Sequence, residues 1–300
     1  MTSALVLGRK RKGRKIGEAV RQTRELLEQA DWTVESKIVL KKAELRREAR
    51  RAKKHDVDIV VAVGGDGAVF QIVNALAESQ VIVGIVPKGT GNLLAGNLDI
   101  PHDLKKAVEV LLTGTPRLID LGRVTIDGAD RDFAVACGVG FDAVVMDATE
   151  PAQKRRWGKL AYVANAIREG GKMQDASHEI TIDGETMTTR AAQVFVANFG
   201  RIGSLMEPRR RVIPDDGLLD VIIVRASGPL SGLRAGLDVL RQRELGETDS
   251  GRVERHRARE VTISSSPRQL VETDGTVIGR TPITVAIRPA ALRVMTRRSR

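Results

Sequence analysis

The stretch that decides the fold is Asp58–Asn92, DIVVAVGGDGAVFQIVNALAESQVIVGIVPKGTGN. Ile59–Val63 is a short β-branched apolar run, the pattern of a parallel strand buried on both faces. It stops at Gly64-Gly65-Asp66-Gly67 and resumes with Val69, Ile72, Val73, Leu76 and Ala77 at helical spacing. A second apolar strand, Val81–Val86, stops in the same manner at Pro87-Lys88-Gly89-Thr90-Gly91-Asn92. Two strand ends of one parallel sheet therefore present two glycine-rich turns side by side. Glycine lets backbone N–H groups approach an anion closely, and the following helix adds the positive end of its dipole. The pattern reads as a phosphate site.

Asp66 sharpens that reading. A carboxylate inside a phosphate-binding turn is electrostatically unfavourable unless a cation bridges it to the phosphate or it has a proton to accept. Neither turn follows the G-x-x-x-x-G-K-[ST] pattern of a P-loop.

Outward from this stretch, the 300 residues suffice for two domains. No uninterrupted apolar run reaches the ~18 residues a membrane-spanning helix needs. The start, MTSALVLG followed by charges, lacks the pattern of a signal peptide. The single cysteine, Cys137, lies in the apolar run FAVACGVGF and reads as buried and inert; a reducing cytoplasm is expected. Net charge is +11, with basic clusters at Arg9–Lys12, Lys41–Lys54, Arg252–Arg259 and the C-terminal tail. Such a balance suits an anionic partner. Nucleic acid is not expected, because aromatics are 3% of the chain and none interleave with the basic runs.

Before the central stretch, Ala4–Leu7 reads as a strand, Glu18–Ala30 as an amphipathic helix, Thr33–Leu40 as a strand and Lys41–Lys54 as a very basic helix. After it come a short helix at Leu93–Leu98 and a longer one to Leu112 capped by Asp103. Strand and helix alternate, which argues an α/β domain with parallel strands. From about Leu118 the pattern changes to hairpins turning at Asp127-Gly128 and Asp183-Gly184. Further strands are expected at Leu218–Val224, Glu260–Ser264, Gln269–Thr273 and Pro282–Ile287, with helices at Trp157–Glu169 and near Leu230–Leu245. A β-rich domain thus follows the α/β one.

These motifs together resemble the diacylglycerol kinase catalytic family, bacterial diacylglycerol and other lipid kinases related to sphingosine kinases. GGDGA at 64–68 is similar to the family's GGDGT, and PKGTGNLLAGNLDIP at 87–101 to its P-x-G-T-G-N segment. GVGFDA at 138–143, KRRWGKLAYV at 154–163, PDDGLLDV at 214–221 and ETDGTVIGRTP at 272–282 occupy the places of its second-domain landmarks. The resemblance implies an α/β domain like those of NAD kinases and phosphofructokinases over 1–122, and a C-terminal β-sandwich over 123–287. The last strand, about 288–300, would return to the first domain. It implies ATP-dependent phosphorylation of a hydroxyl on diacylglycerol or a related lipid, with Mg²⁺, in a cleft between domains. Gly64, Gly65, Asp66, Gly67 and Ala68, with Lys88, Gly89, Thr90, Gly91 and Asn92, would hold the nucleotide. Asp66 would serve as base or metal ligand. The backbone carbonyls of Ile213 and Leu218 with the Asp216 carboxylate would form a structural metal site. The basic runs would attach the enzyme peripherally to an anionic bilayer, at the inner face of the plasma membrane. Phe141, Met146, Trp157 and Tyr162 are candidates for the acceptor lining.

The chain departs from the family pattern at several positions. Gly8-Arg9-Lys10 replaces the usual Asn-Pro, Ala68 replaces a threonine, and Gln71 stands where a glutamate is common. Thr276 takes the place of the D-G-E glutamate treated as proton acceptor in bacterial members, and a threonine hydroxyl cannot accept that proton. Asp66 or Asp274 would have to substitute, or the proton would pass to phosphate. A catalytically impaired nucleotide- or lipid-binding homologue is the alternative reading. A soluble-metabolite kinase of the NAD-kinase type is a third, since it shares the GGDG turn.

Overall fold

The structure, a computed structural model, describes residues 1–10, 13, 15–55, 57–140, 176–200, 212–225 and 253–298. The chain forms two compact units, Met1–Leu121 with Pro289–Arg300, and Gly122–Arg288. It leaves the first unit within a strand, β5 (Thr115–Ile126), and returns to it within the last, β16 (Ile283–Thr296).

The first unit alternates strand and helix: β1 (Ser3–Arg9), α1 (Ile16–Glu28), β2 (Thr33–Val39), α2 (Lys42–Ala52), β3 (Ile59–Gly64), α3 (Asp66–Leu76) and β4 (Ile82–Pro87). Then come a short helix, α4 (Leu93–Asn97), and α5 (Leu104–Thr113). The strands are parallel in the order β2-β1-β3-β4, and the end of β16 adds beside β4 through Val294 and Val83. All six residues of β3 are buried, as its unbroken apolar run requires of a strand with neighbours on both sides. Helix α5 lies close on β4 because Gly84 leaves room: a Cβ there would meet Leu111 Cδ2 at 2.6 Å. Asp103 caps α5 by accepting the Lys106 N–H at 3.0 Å.

Helix α2 is held on both flanks despite its charge. Leu45, Ala49 and Ala52 face inward, and the Glu44 carboxylate accepts the N–H groups of Leu40 and Lys41 ahead of the helix. Glu48 is only 4% exposed and ion-paired to Lys37 of β2 at 2.9 Å. The Lys37 hydrogen bond lowers the Glu48 carboxyl below its ordinary range; burial opposes this, and Arg51 and Arg47 add to the lowering. On the other flank, Arg46 donates to Gln71 Oε1 at 2.8 Å and Lys53 Nζ to the Ala77 carbonyl at 3.0 Å. These bonds link residue pairs 25 and 24 apart, so α2 and α3 run side by side in the same direction.

The second unit is a β-sandwich. One layer contains the hairpin β8 (Ala176–Ile182) and β9 (Glu185–Ala191), then β13 (Glu260–Ser266) and the start of β16, all antiparallel. The end of β5 pairs with β6 (Ala129–Phe133) around Asp127-Gly128. The other layer runs β12 (Val253–Ala258), β11 (Leu219–Val224), β10 (Gln193–Ala197), β7 (Ala136–Gly140), β14 (Leu270–Thr273), β15 (Thr276–Arg280). Ile180, Val261, Ile263 and Val285 meet Val139, Val196, Val221 and Val271 in one apolar core. Cys137 is fully buried there; burial pushes its thiol well up, with the Glu272 and Asp274 charges adding to the effect.

Two elements go beyond the sequence expectation. Val253–Ala258, inside a basic run, forms β12 at the end of its layer among the described residues, where charged side chains are suited. The strands expected over Pro282–Ile287 and over about 288–300 are one strand, β16, which runs through Pro289 to Thr296. The proline looks like a strand end, yet Ala290 takes φ 50° and donates its N–H to Asp120 Oδ1 at 2.7 Å, and pairing resumes beyond it. The expected helices at Trp157–Glu169 and Leu230–Leu245, and the residues Phe141, Met146, Trp157 and Tyr162, lie outside the described residues.

Gly122 illustrates how tightly the second core is filled. A Cβ at that position would sit 2.0 Å from Phe133 Cζ, and Phe133 is fully buried. Gly122→Ala is expected to cost about 1–3 kcal/mol of stability, measured as a lowered denaturant midpoint. An unchanged midpoint would contradict this packing.

Candidate nucleotide-binding site

The C-terminal ends of β3 and β4 bring the two glycine-rich turns into contact. Gly64 and Pro87 are register partners, and the Lys88 N–H donates to the Gly64 carbonyl at 2.7 Å. A Cβ built on Gly65 would lie 2.6 Å from the Gly89 Cα, and one on Gly89 would lie 2.5 Å from the Gly65 Cα. No side chain fits at either position, because the obstruction is backbone and cannot swing aside. Gly91 is equally constrained, with Asp66 Oδ2 2.6 Å from its would-be Cβ.

Asp66 joins the two turns. Its Oδ2 accepts the Asn92 N–H at 2.8 Å and its Oδ1 the Leu93 N–H at 2.5 Å. These N–H groups lie at the start of α4, where a helix leaves donors without internal partners. Asn92, 4% exposed and at φ 52°, closes its own turn. Its Oδ1 accepts the Gly89 N–H at 2.8 Å, its Nδ2 donates to the Gly89 carbonyl at 3.1 Å, and Nδ2 also lies 3.1 Å from His102 Nδ1. Thr90 is exposed at the tip.

Beside the turns is a hollow lined by Arg9, Ile16, Gly64, Gly65, Gly67, Ala68 and Lys88. Its lining carries two cations and no acid. Helix α3 begins here, with Gly65 at its N-cap and its first-turn N–H groups at the turn. A third cation approaches from α2: Lys42 Nζ lies 3.7 Å from where a Cβ of Gly67 would stand. The glycines are thus spaces that a Cβ would fill, ringed by positive charge, and this fits a polyphosphate. Sequence reasoning named the turns and Lys88 but not Lys42, and placed Arg9 in a basic cluster and as a departure from Asn-Pro. The signal for Lys42 was topological. The parallel strands β2 and β3 flank β1 and end at the same sheet edge, so the helices that follow them, α2 and α3, begin there, and the first residue of α2 comes beside the first turn of α3.

The remaining candidates lie in the second unit. The Asp274 carboxylate accepts the backbone N–H groups of Ala134 and Val135 at 2.8 Å each and that of Ala136 at 3.3 Å. Asp274 and Gly275, at φ 48° and 78°, form the tight turn between β14 and β15. Thr276 follows, exposed at the start of β15. Glu272 is 3% exposed and accepts the Gly275 N–H at 2.7 Å.

Ile213, Asp216 and Leu218 lie before β11, and Ile213 is 44% exposed. Asp216 Oδ1 accepts the Leu218 N–H at 3.1 Å, and Oδ2 is paired with the Arg257 guanidinium. The guanidinium on Oδ2 puts a fixed positive charge where a divalent ion would have to sit, so this donor set does not fit one. Among the described residues, no group of three or more His, Cys, Asp or Glu side chains is arranged to hold a metal. No helix among them is long and apolar enough to cross a membrane.

An α/β unit that carries paired glycine turns, followed by an antiparallel sandwich, defines a two-domain class. The chain belongs to the diacylglycerol kinase catalytic-domain family. Residues 3–124 match the Diacylglycerol kinase catalytic domain, and residues 135–296 match the YegS C-terminal NAD kinase beta sandwich-like domain. It is 29% identical over 247 residues to a protein named diacylglycerol kinase from Mycobacterium tuberculosis, covering 79% of this chain and 76% of that one. An uncharacterized protein of Synechocystis is 27% identical over 237 residues, 78% of this chain; the match spans about half of that relative's length, 54%. Among solved structures, one described as a diacylglycerol kinase from Bacillus anthracis superposes with a TM-score of 0.73 at 18% identity, covering 98% of this chain and 96% of that one. That likeness speaks for the fold.

Gly65→Ala is expected to force the turns apart and to weaken MgATP binding by at least about tenfold, read by calorimetry, roughly the 1.4 kcal/mol that corresponds to a tenfold change. Unaltered binding would contradict the cradle. At the 213–218 turn, a chelator is expected to leave the thermal midpoint unchanged, while Arg257→Met lowers it. A midpoint that falls with chelator and recovers with Mg²⁺ would contradict the account of Asp216.

Proposed function

We propose that the chain is an ATP-dependent lipid kinase that phosphorylates a hydroxyl of diacylglycerol or a related lipid. The observation that carries this reading is the backbone contact of Gly65 with Gly89, locked by Asp66 across the two turns. Family membership supports phosphotransfer, and the printed names of relatives support a lipid acceptor.

In the transfer, the lipid hydroxyl oxygen forms a bond to the γ-phosphorus, and the bond from that phosphorus to the β,γ-bridging oxygen breaks. ADP leaves with that electron pair, and the hydroxyl proton goes to a base or to phosphate. Such chemistry depends on positioning and charge neutralisation more than on covalent help. The turns at 64–68 and 88–92 hold the phosphates, and Lys88 offsets their charge. Mg²⁺ arriving with ATP would supply further neutralisation. Asp66, at the junction of the two turns, is the proposed base or metal ligand, because Asp274 is committed to three backbone N–H groups. The exposed cations of α2, Arg46, Arg47, Arg50 and Arg51 among them, would attract the enzyme to an anionic bilayer where the acceptor resides.

A second reading has a specific observation in its favour. Thr276 offers no base and Asp274 serves a turn, which suits a homologue that binds nucleotide or lipid without turnover.

The test is transfer of labelled phosphate from ATP to a panel of extracted lipids. A labelled lipid is expected with the native chain, and Asp66→Asn is expected to reduce labelling by about two orders of magnitude or more, the usual contribution of a positioned acid or base. No labelled lipid with ATP still bound would favour the second reading, and Thr276→Glu would then be expected to create activity.

A further inference from the structure

Three cations from different elements surround the glycine turns. They are Arg9 from the end of β1, Lys42 from the first residue of α2 and Lys88 from the end of β4. The hydroxyl that a threonine at 68 would offer is missing, because Ala68 is there, and β1 ends in Gly8-Arg9-Lys10. Charge stands where a neutral donor would otherwise serve.

Lys42 is placed by the architecture, not by chance extension of a surface lysine. Arg46 on Gln71 and Lys53 on Ala77 fix α2 parallel to α3 at a nearly constant offset, and the same offset brings residue 42 to residue 67. Glu44 fixes the entry to the helix, and Glu48, buried beneath Lys37, fixes its middle. The aliphatic end and the ammonium of Lys42 then lie 3.6 and 3.7 Å from the Cβ position of Gly67. Gly67 is the exposed glycine of the turn, next to the hollow that Arg9 and Lys88 line. Asp66, the acid of the same turn, directs both oxygens at N–H groups of the neighbouring turn.

We propose that Lys42 and Arg9 are phosphate-binding residues that, with Lys88, make the site selective for a nucleoside triphosphate over nucleotides with shorter phosphate chains. The inference rests on the reading of the turns as an ATP site and deepens it. Each added phosphate brings negative charge within reach of these cations. A monophosphate lacks the terminal charge that they recognise.

The test compares MgATP, ADP and AMP by calorimetry on the native chain and on Lys42→Gln, Arg9→Gln and Lys42→Arg, with Arg24→Gln as the control. Arg24 is exposed on α1 and does not line the hollow. Lys42→Gln and Arg9→Gln are expected to weaken MgATP binding at least tenfold each and AMP binding less than twofold. Lys42→Arg should keep most of the affinity, and Arg24→Gln should bind as the native chain does. Thermal midpoints distinguish lost contacts from lost fold. If Lys42→Gln and Arg9→Gln bind MgATP normally, or lose ATP and AMP in equal proportion, the inference is overturned while the ATP reading stands. If the native chain binds none of the three, both fall together.

Discussion

The structure turns on one close approach, the backbone of Gly65 lying against that of Gly89. Parallel strands β3 and β4 deliver both turns to the same sheet edge, but parallel pairing alone would leave side chains between them. Removing those side chains lets the carbonyl of Gly64 take the Lys88 N–H and lets Asp66 reach across to the start of α4. The result is a pair of loops braced against each other, with the start of α3 at the hollow. Bracing matters for binding a flexible polyanion, since groups held in place beforehand need not be ordered at the moment of binding.

The carboxylates of the chain divide by what they hold. Asp66 ties turn to turn, Asp274 ties a hairpin to the 134–136 backbone, Asp216 ties a turn to Arg257, and Glu48 ties α2 to β2. Asp66, Asp216 and Asp274 sit in sequence motifs that invite a chemical role, whereas Glu48 sits in a basic helix. At Asp216, Asp274 and Glu48 the oxygens hold turns and helices in place. Asp66 differs in that the turns it braces line the hollow with its cations.

Much of this was legible in the sequence. The unbroken apolar run of Ile59–Val63 marked a strand with neighbours on both sides, and Gly-Gly-Asp-Gly marked the change from strand to helix, with Gly65 alone between β3 and α3. The Asp-Gly pairs at 127 and 183 marked real hairpins because φ above zero is costly for most other residues. What escaped was what periodicity does not carry. Strand β12 hid in a basic run, since an edge strand may be charged on both faces. The strand over about 288–300 was expected, but its continuity with Pro282–Ile287 was masked by Pro289. Lys42 looked like one of many helix-surface lysines, and its nearness to Gly67 depends on two helices 25 residues apart lying in register.

The central claim is that both turns grip one polyphosphate at once. Hydrogen–deuterium exchange of the native chain with and without MgATP tests it most directly. Protection is predicted to rise together in the segments containing Gly64–Ala68 and Gly89–Leu93, and to be absent with adenosine. Protection of one turn without the other, or of neither while ATP is bound, would contradict the account.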